Sequence, residues 1–521
     1  MKQPELFTDI LALGAAHAPD QLAITCNDEG YTYKELQLAV DLFANDLIKK
    51  GLHPGDHVAL WAMNHACWPI AYMGIIRAGG VAVLLNFGLP AGDIAEQMRY
   101  ADTKFIVYGL NRELMLDPSA PQKMAESLNL AASCICDLRQ DFHARIDQGE
   151  NADVLPPENK DSRRTATIIF TTGTTGVSKA VEQSQYAMCC NSFCAHELLK
   201  ERIGDRKIIA LPLFHSFGLE TLFFCLLHCN SIWLADLLKP DALLRTISDN
   251  QIDDITSVSS VIQGLISHPG FTAEIANRFI HTGAGGSYIA PEELRIINNA
   301  FPNAKLLYGY GQTEACTVVA MHQPSDSLEK VTTTVGKVMP CLNVDIMNPK
   351  GHCLPVGQIG EVVYRGNTVM NGYYKLSHEE QPFDVNGWLH TGDLGYLDED
   401  GYLHITGRLK DIIIKSGENI MPSDIESKIL ACGGVHSAKV LGIPHPVSGE
   451  SIEACIIPDP GTWQGEDELR HQLSAKLNSF MMPSHFFVYD AFPMSENGKL
   501  NQQALRSDVL AQLRNLTEAK N

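Results

Sequence analysis

Residues 168–181 read IIFTTGTTGVSKAV and carry the strongest structural signal in the chain. The apolar run Thr167–Phe170 predicts a buried strand, and a run of six Thr and Gly residues follows it. Glycines let backbone N–H groups turn toward an anion, threonine hydroxyls add donors, and Lys179 adds a positive charge. The stretch therefore predicts a phosphate-binding loop, with a simple surface turn as the alternative. The loop residues are Thr171, Thr172, Gly173, Thr174, Thr175 and Gly176.

Short β-rich runs alternate with helical periodicity on both sides of this stretch, which favours an α/β fold. Several of these runs end in a polar or Gly-rich loop. In a parallel sheet such loops lie at the carboxyl ends of the strands, where ligands bind. The runs concerned are Lys207–Leu211, Ile255–Ser259 and Lys305–Tyr308.

The amino-terminal part also alternates between β-rich runs and helical periodicity, and a less regular segment follows it. It predicts helices over Tyr33–Lys50 and Trp68–Ala78 and strands over His57–Met63 and Val81–Leu85. Asp117–Ser162 is polar with weak periodicity, and we interpret it as a surface excursion.

The carboxyl-terminal third changes character twice. Val344–Tyr402 is rich in turns and predicts small β-structure. A compact αβ segment with a helix near Pro422–Cys432 follows Gly407 and Arg408. We therefore predict two domains, residues 1–408 and 409–521.

Length and charge bound the classes of function. The 521 residues suggest roughly two to four packing units, and a net charge of −21 argues against a nucleic-acid binder. The same charge argues against adhesion to an anionic membrane surface. A polyanionic small ligand remains compatible, because a local lysine or glycine loop can hold phosphate inside an acidic protein.

The 14 cysteines are scattered, and no CxxC pair occurs. The densest group is Cys189, Cys190 and Cys194, followed by His196; small buried thiols are favoured there over a zinc site. Scattered free thiols fit a reducing compartment, so we expect a cytoplasmic protein. The most apolar long stretch, Thr221–Leu238, is interrupted by polar residues, and we expect no transmembrane segment.

Four further motifs carry groups suited to nucleotide chemistry. YGYGQTEA (308–315) offers Tyr310 as an aromatic face for a base, with Thr313 and Glu314 as oxygen donors for a hard cation such as Mg²⁺. GWLHTGDLG (387–395) places Asp393 in a loop, where it could accept from ribose hydroxyls, and Arg408 of GRLKDIIIKSGENI (407–420) could assist. PMSENGKL (493–500) places Lys499 on an Asn-Gly turn, where a solvated charge is the alternative.

In this order, the motifs resemble the adenylate-forming superfamily, which includes acyl- and aryl-CoA synthetases, and the resemblance runs from Tyr31 to Lys499. It implies an α/β fold with a large N-terminal domain of two α/β-type sheets plus a small β-barrel-like part. A small mobile α+β C-terminal domain would follow. It also implies an AMP-forming acid–thiol ligase that uses ATP, Mg²⁺ and CoA.

The resemblance also implies residue roles. The Thr/Gly loop with Lys179 would hold the β- and γ-phosphates of ATP, Thr313 would contact phosphate, and Glu314 would hold Mg²⁺. Gly285, within the segment GAGG (283–286), and Tyr310 would flank adenine, while Asp393 and Arg408 would bind ribose. The roles implied for the C-terminal domain are a hinge at Lys410, a loop along the thiol's route at Gly417, and a bridge between the acid and the α-phosphate at Lys499.

The motif LPLFHSFGL (211–219) indicates which class of carboxylic acid the enzyme would activate. Amino-acid-activating relatives place an Asp after the Phe to bind the α-ammonium, but here His215 follows, so we expect an acyl or aryl acid, as in fatty acid metabolism. Glu220 could face solvent or a polar network. Two further alternatives stay open: a carrier-protein thiol in place of CoA, and a homodimer.

Overall fold

The computed structural model describes residues 2–109, 119–138, 142–150, 161–171, 178–199, 205–494 and 500–518. The chain divides into two compact units. The first consists of Met1–Val344 with Tyr364–Leu389, and the second of Asp345–Val363 with His390–Asn521. Residues 345–363 and 390–408 thus group with the carboxyl-terminal residues, and the 408/409 boundary stays a prediction.

In the described part of the first unit, the larger sheet has nine strands. Its six central strands pair in parallel, and the strands at its two margins pair antiparallel with their neighbours. In spatial order the strands are β15 (Lys337–Val338), β14 (Thr317–Met321), β13 (Lys305–Gln312), β12 (His281–Gly285), β11 (Asp254–Val258), β9 (Arg206–Ala210), β10 (Ser231–Leu234), β1 (Leu22–Cys26) and β2 (Glu29–Thr32).

A second sheet has seven strands among the described residues. Most of its strands pair in parallel, but the strand Lys179–Ser184 pairs antiparallel with both of its neighbours. The order is β18 (Gly372–Tyr373), β8 (Lys179–Ser184), β7 (Thr165–Thr171), β4 (Val81–Leu84), β3 (His57–Ala62), β5 (Thr103–Gly109) and β6 (Ile135–Asp137).

Helices connect these strands. Those of the first unit are α1 (Phe7–His17), α2 (Tyr33–Lys49), α3 (Cys67–Arg77), α4 (Ala91–Tyr100), α5 (Ala120–Ser127), α6 (Phe142–Asp147), α7 (Gln185–Leu199), α8 (Ser216–Leu227), α9 (Pro240–Asp249), α10 (Ser259–Ile266), α11 (Ala273–Arg278), α12 (Pro291–Ala300) and α13 (Leu328–Thr333). Within the described residues, no helix is long and apolar enough to cross a membrane.

Helix α2 shows how the sequence sets an element. The Thr32 hydroxyl accepts from the backbone N–H of Glu35, and the Glu35 carboxylate accepts from that of Thr32, which is a capping box. Leu36, Val40 and Phe43 then recur at helical spacing and are buried. The helix predicted over residues 33–50 is thus confirmed.

The central helices share one core with both sheets. Val58 and Leu60 of β3 pack into the core that contains α1, α2, α3, α7 and α8, together with residues of β1, β9 and β10. Ala59 and Trp61 pack on the opposite face, against α4 and α5. Successive side chains of a strand point to opposite faces, and both faces of β3 are buried. The sequence of β3 is therefore a continuous apolar run rather than an alternating one.

The second unit contains most of a four-stranded sheet and all of a five-stranded one, counted over the described residues. The first corresponds to the predicted small β-structure. Its order is β16 (Leu342–Met347), β17 (Gly360–Gly366), β19 (Leu389–Leu397) and β20 (Leu403–Arg408). The other contains β22 (Glu418–Ile420), β21 (Ile413–Lys415), β24 (Gly449–Pro458), β23 (Val435–His445) and β25 (His485–Val488), with helices α14 (Pro422–Leu430), α15 (Glu466–Ser474) and α16 (Gln502–Glu518).

One sequence interpretation was wrong. The segment Asp117–Ser162 is not only a surface excursion, because β6 lies within it and pairs in parallel with β5 at the margin of the second sheet. Strand β6 has only three residues, of which Cys136 is buried. A run this short leaves no period that sequence reasoning can detect.

A buried ion network ties β9, β11 and β12 together at the amino ends of these strands. The Lys207 ammonium lies 3.0 Å from the Asp254 carboxylate, and His281 lies 3.4 Å from the same oxygen. Burial raises the pKa of Asp254, but Lys207 and then His281 outweigh it, so its pKa is held below the ordinary value. The network fixes three neighbouring strands whose far ends build the site described below.

Asp254→Ala should destabilise the protein strongly, because it leaves the Lys207 charge buried without this partner. Breaking a buried pair costs about 3–5 kcal/mol. Glu292→Ala removes an exposed partner of Arg295 in the same unit and should cost about 1 kcal/mol or less. Urea unfolding of the full chain measures both; equal midpoints for the two variants would contradict the structural role of the network.

Candidate active site

The parallel strands of the larger sheet bring the carboxyl ends of β9, β11, β12 and β13 to one edge. In register, Val258 of β11 pairs with Gly285 of β12, and Ala284 pairs with Tyr308 of β13. Strand β9 lies beside β11 and ends at Ala210, just before the His215 motif. The prediction of a loop is confirmed after β9 and β12. It was wrong for the other two strands, because β11 leads directly into α10 at Ser259, and β13 continues to Gln312, so Tyr310 lies inside a strand.

The glycine segment at the end of β12 is covered by apolar side chains. A Cβ atom on Gly285 would lie 3.1 Å from the ring of Phe217, and one on Gly286 would lie 3.3 Å from Val258. Any larger side chain at position 285 would push against this ring. The absent side chain therefore lets an aromatic ring of α8 approach the strand end closely.

The turn Thr313–Ala315 is anchored by side chains from elsewhere in the unit. The Thr313 hydroxyl lies 3.3 Å from that of Ser216 at the start of α8, and Gln183 of β8 donates to the Thr313 carbonyl at 2.7 Å. The Tyr373 hydroxyl donates to Glu314 Oε1 at 2.8 Å. Burial first, and Glu314 second, raise the pKa of Tyr373, so this tyrosine stays a donor at neutral pH.

The predicted phosphate loop joins two antiparallel strands. Thr171, at the end of β7, pairs with Lys179, at the start of β8. The Lys179 ammonium lies 4.6 Å from the centre of the Tyr373 ring. Lys179 therefore contacts the same tyrosine that donates a hydrogen bond to Glu314. Thr172, Gly173, Thr174, Thr175 and Gly176 lie outside the described residues, as does Lys499.

His215 occupies the N-cap of α8 and is partly buried, with its ring 4.4 Å from that of Phe214. The loop before it is held by Asn64, whose amide donates to the carbonyls of Leu211 and Ala235. The Asn64 carbonyl oxygen accepts from the backbone of Leu213. Asn64 is thus the residue that fixes this motif against the second sheet.

In the second unit, Asp393 and Arg408 are direct partners across β19 and β20. The Arg408 side chain lies 3.1 Å from Asp393 Oδ1 and is 56% exposed, whereas the Asp393 side chain is 5% exposed. We had expected Asp393 in a loop, but it lies inside β19, so its carboxylate is fixed by the strand and by Arg408.

The other two predicted residues of this unit lie on short connections. Lys410 is exposed in the 3₁₀ turn Leu409–Asp411, and it lies inside the second unit rather than where the chain passes between units. Ser416 and Gly417 both have positive φ, of 51° and 86°, and form the two-residue hairpin loop between β21 and β22. Such a loop needs residues that tolerate left-handed backbone, which explains the Gly.

Sequence reasoning missed the positioning residues. Asn64, Gln183 and Tyr373 act on backbone or side-chain atoms more than 50 residues away along the chain. Asn191 does the same, since its amide donates to the carbonyls of Ala315 and Val318. In the sequence, these residues are marked only by being polar and lying within or just after an apolar element. That pattern is too common to identify a positioning residue.

Two large sheets with shared helices and an acidic turn after β13 agree with the adenylate-forming class that the motifs predict. Residues 11–374 match the AMP-binding enzyme family, residues 424–499 match the AMP-binding enzyme C-terminal domain, and the chain belongs to this family. It is an AMP-forming acid–thiol ligase of the acyl-CoA synthetase type, and its substrates and cofactor are a carboxylic acid, ATP, CoA and Mg²⁺.

Individual relatives cover nearly the whole chain. A 2-succinylbenzoate–CoA ligase of Oceanobacillus iheyensis is 29% identical over 93% of this chain and 95% of its own length. A feruloyl-CoA synthase of an Amycolatopsis species is 27% identical, with coverages of 94% and 96%. The crystal structure of ATP-bound MatB from Rhodopseudomonas palustris has a TM-score of 0.86 at 26% identity and covers 96% of this chain and 98% of its own.

Tyr373→Phe should slow adenylation while leaving the fold intact. A hydrogen bond to a charged group contributes about 1.5–3 kcal/mol, so kcat/KM for acid-dependent pyrophosphate release should fall roughly 10- to 100-fold. Tyr374→Phe is the matched control, because it removes a 2.8 Å bond to Asp102 at the surface. Equal effects of the two substitutions would contradict a role for Tyr373 in holding Glu314.

Proposed function

We propose that the enzyme activates a neutral hydrophobic acyl or aryl acid, with the acyl part bound beside Gly285. The observation that carries this proposal is the apolar lining of that strand end. Phe217 and Val258 are the side chains nearest to the Cβ positions of Gly285 and Gly286. A neutral acyl tail gains about 0.8 kcal/mol for each CH₂ buried there, whereas an unpaired ammonium would cost several kcal/mol.

Glu220 is the acidic residue closest in sequence to this lining. It lies on α8 one residue after Leu219 and is 8% exposed, so the solvent-facing alternative is wrong. A carboxylate buried this deeply is held within the polar interactions of the protein. We therefore assign it to the polar network rather than to an ammonium-binding site.

The Thr313–Glu314 turn and Lys179 form the proposed phosphate and Mg²⁺ site. The half-buried Glu314 carboxylate, oriented by Tyr373, and the Thr313 hydroxyl supply the oxygen ligands that Mg²⁺ prefers, so these residues fit the ion. When bound, Mg²⁺ neutralises charge on the phosphates. Lys179 adds a fixed positive charge, and Thr171 begins the loop that would take the β- and γ-phosphates.

The remaining predicted residues keep the roles that the family resemblance gives them. We assign adenine to Tyr310 and Gly285, and ribose to Asp393, whose fixed, buried carboxylate suits a pair of hydroxyls, with Arg408 beside it. His215 would lie next to the acid's carboxylate. In the second unit, Lys410 would act as the pivot and Gly417 as part of the thiol's route.

CoA is the acceptor, as in the named relatives, which are CoA ligases along nearly their whole length, and a carrier-protein thiol stays an untested alternative. We place the enzyme in the cytoplasm, since all 14 cysteines are free in the structure. A homodimer stays an open proposal, to be settled by the mass of the protein in solution.

A competition assay tests the acid class. We expect an acyl or aryl acid to be preferred over the corresponding α-amino acid by roughly 10²-fold or more in kcat/KM, because the ammonium would enter an apolar pocket. Pyrophosphate release is measured with an amino acid and its deaminated analogue, with and without CoA. Preferential activation of the amino acid would overturn the proposal, and Glu220→Gln would then show whether Glu220 supplies the pairing charge.

Lys499→Ala should affect the first half-reaction alone. Loss of a preorganised charge at the reacting phosphate should lower acid-dependent pyrophosphate release by roughly 10²-fold or more. Thioester formation from supplied acyl-AMP should be preserved. Lys428→Ala, an exposed lysine of α14, is the control and should change neither step. A similar loss in both half-reactions would show that Lys499 has another role.

A further inference from the structure

Three cysteine thiols that have no part in the proposed nucleotide and acid contacts converge in the first unit. Cys190 and Cys194 lie one turn apart on α7, and Cys341 lies on the connection between β15 and β16. Their three sulfur atoms all lie within 4.8 Å of one another. Cys190 is 2% exposed, while Cys194 and Cys341 are partly exposed, so the cluster can be reached from solvent.

We propose that Cys190, Cys194 and Cys341 form a binding site for a thiophilic d¹⁰ metal ion, Zn²⁺ or Cu⁺. Thiolates are the ligands that select these ions in proteins. At a Zn–S distance of about 2.3 Å, tetrahedral sulfur ligands lie about 3.8 Å apart, so small side-chain rotations would bring the three sulfurs into range. A solvent molecule can complete the coordination of Zn²⁺, whereas Cu⁺ can accept the three sulfurs alone.

The geometry distinguishes this cluster from ordinary buried thiols. Cys189 and Cys225 are fully buried in the apolar core, where a thiol packs as a small hydrophobe. In the cluster, by contrast, two chain segments separated by about 150 residues direct sulfur atoms at one point.

The sequence pattern alone suggested a different group. His196 is not among the clustered ligands, and its ring nitrogen lies 2.8 Å from that of His228 instead. A second set of candidate ligands, Glu29, His65 and Cys67, also exists. Its carboxylate already accepts from the Tyr31 hydroxyl at 2.7 Å and from the Cys67 thiol at 3.0 Å, so it is explained as a hydrogen-bond network.

The cluster adjoins the turn that carries Glu314. Asn191, next to Cys190, holds the carbonyls of Ala315 and Val318, and the Cys341 carbonyl accepts from the backbone of Asn367. A bound ion would therefore cross-link α7 to the connection before β16. Since a ligand that binds only the folded state stabilises it, the ion should also raise the thermal midpoint of the protein.

A spectroscopic titration tests the site on the full-length protein. The reduced, metal-free chain is titrated with Cd²⁺, a d¹⁰ probe whose thiolate complexes absorb in the near ultraviolet. We expect a charge-transfer band that saturates at one ion per chain, and we expect Cu⁺ or a large excess of Zn²⁺ to displace the Cd²⁺. Cys194→Ser and Cys341→Ser should each weaken binding by more than the roughly 10- to 100-fold typical of losing an outer-shell partner.

Two controls separate this site from other thiols. Cys353→Ser removes an exposed thiol outside the cluster, and Cys67→Ser removes the other candidate ligand set; both should retain the band. Absence of a band in the natural chain, or an unchanged band in Cys194→Ser, would overturn the proposal. If the cluster variants fail to fold, mass spectrometry of the unmodified chain decides: Zn²⁺ should protect Cys194 and Cys341 from alkylation, and equal labelling with and without Zn²⁺ would refute the site.

Discussion

Hydrogen bonds to one short turn connect the two large sheets of the first unit. The turn Thr313–Ala315 follows a strand of the nine-stranded sheet, yet Gln183 and Tyr373, which hold it, belong to the seven-stranded sheet. Asn191 reaches it from a helix that packs between the sheets. Each bond replaces a water contact of a backbone or carboxylate group that the fold has withdrawn from solvent.

This constraint explains why the proposed chemistry is concentrated at one edge. Parallel strands place Val258, Gly285 and Tyr308 side by side, but strand direction alone would leave their loops unconnected. The anchored turn brings a carboxylate and a hydroxyl to that edge from the end of β13. Asn64 does the equivalent for the His215 motif on the other side.

The sequence predicted what depends on local pattern. Helix α2 has a capping box and an apolar face, and β7 has an apolar run before a Thr/Gly stretch, so their existence follows from neighbouring residues. Asp393 was expected in a loop because Gly392 precedes it, but pairing with β20 extends the strand through it. Likewise, nothing local to Cys194 indicates Cys341. Contacts between distant segments leave no period in the sequence, so the positioning residues and the thiol cluster required the structure.

The division of the chain has a consequence for anyone who wishes to cut or recombine this enzyme. Because the second unit contains both residues 345–363 and residues 390–521, the polypeptide passes between the units three times. A single truncation after residue 408 would leave strands of the four-stranded sheet on one fragment without the remainder of their unit. Exchange of that whole unit with a homologue therefore requires three junctions, whereas a chimera with one junction after residue 408 combines the four-stranded sheet of one parent with the five-stranded sheet of the other.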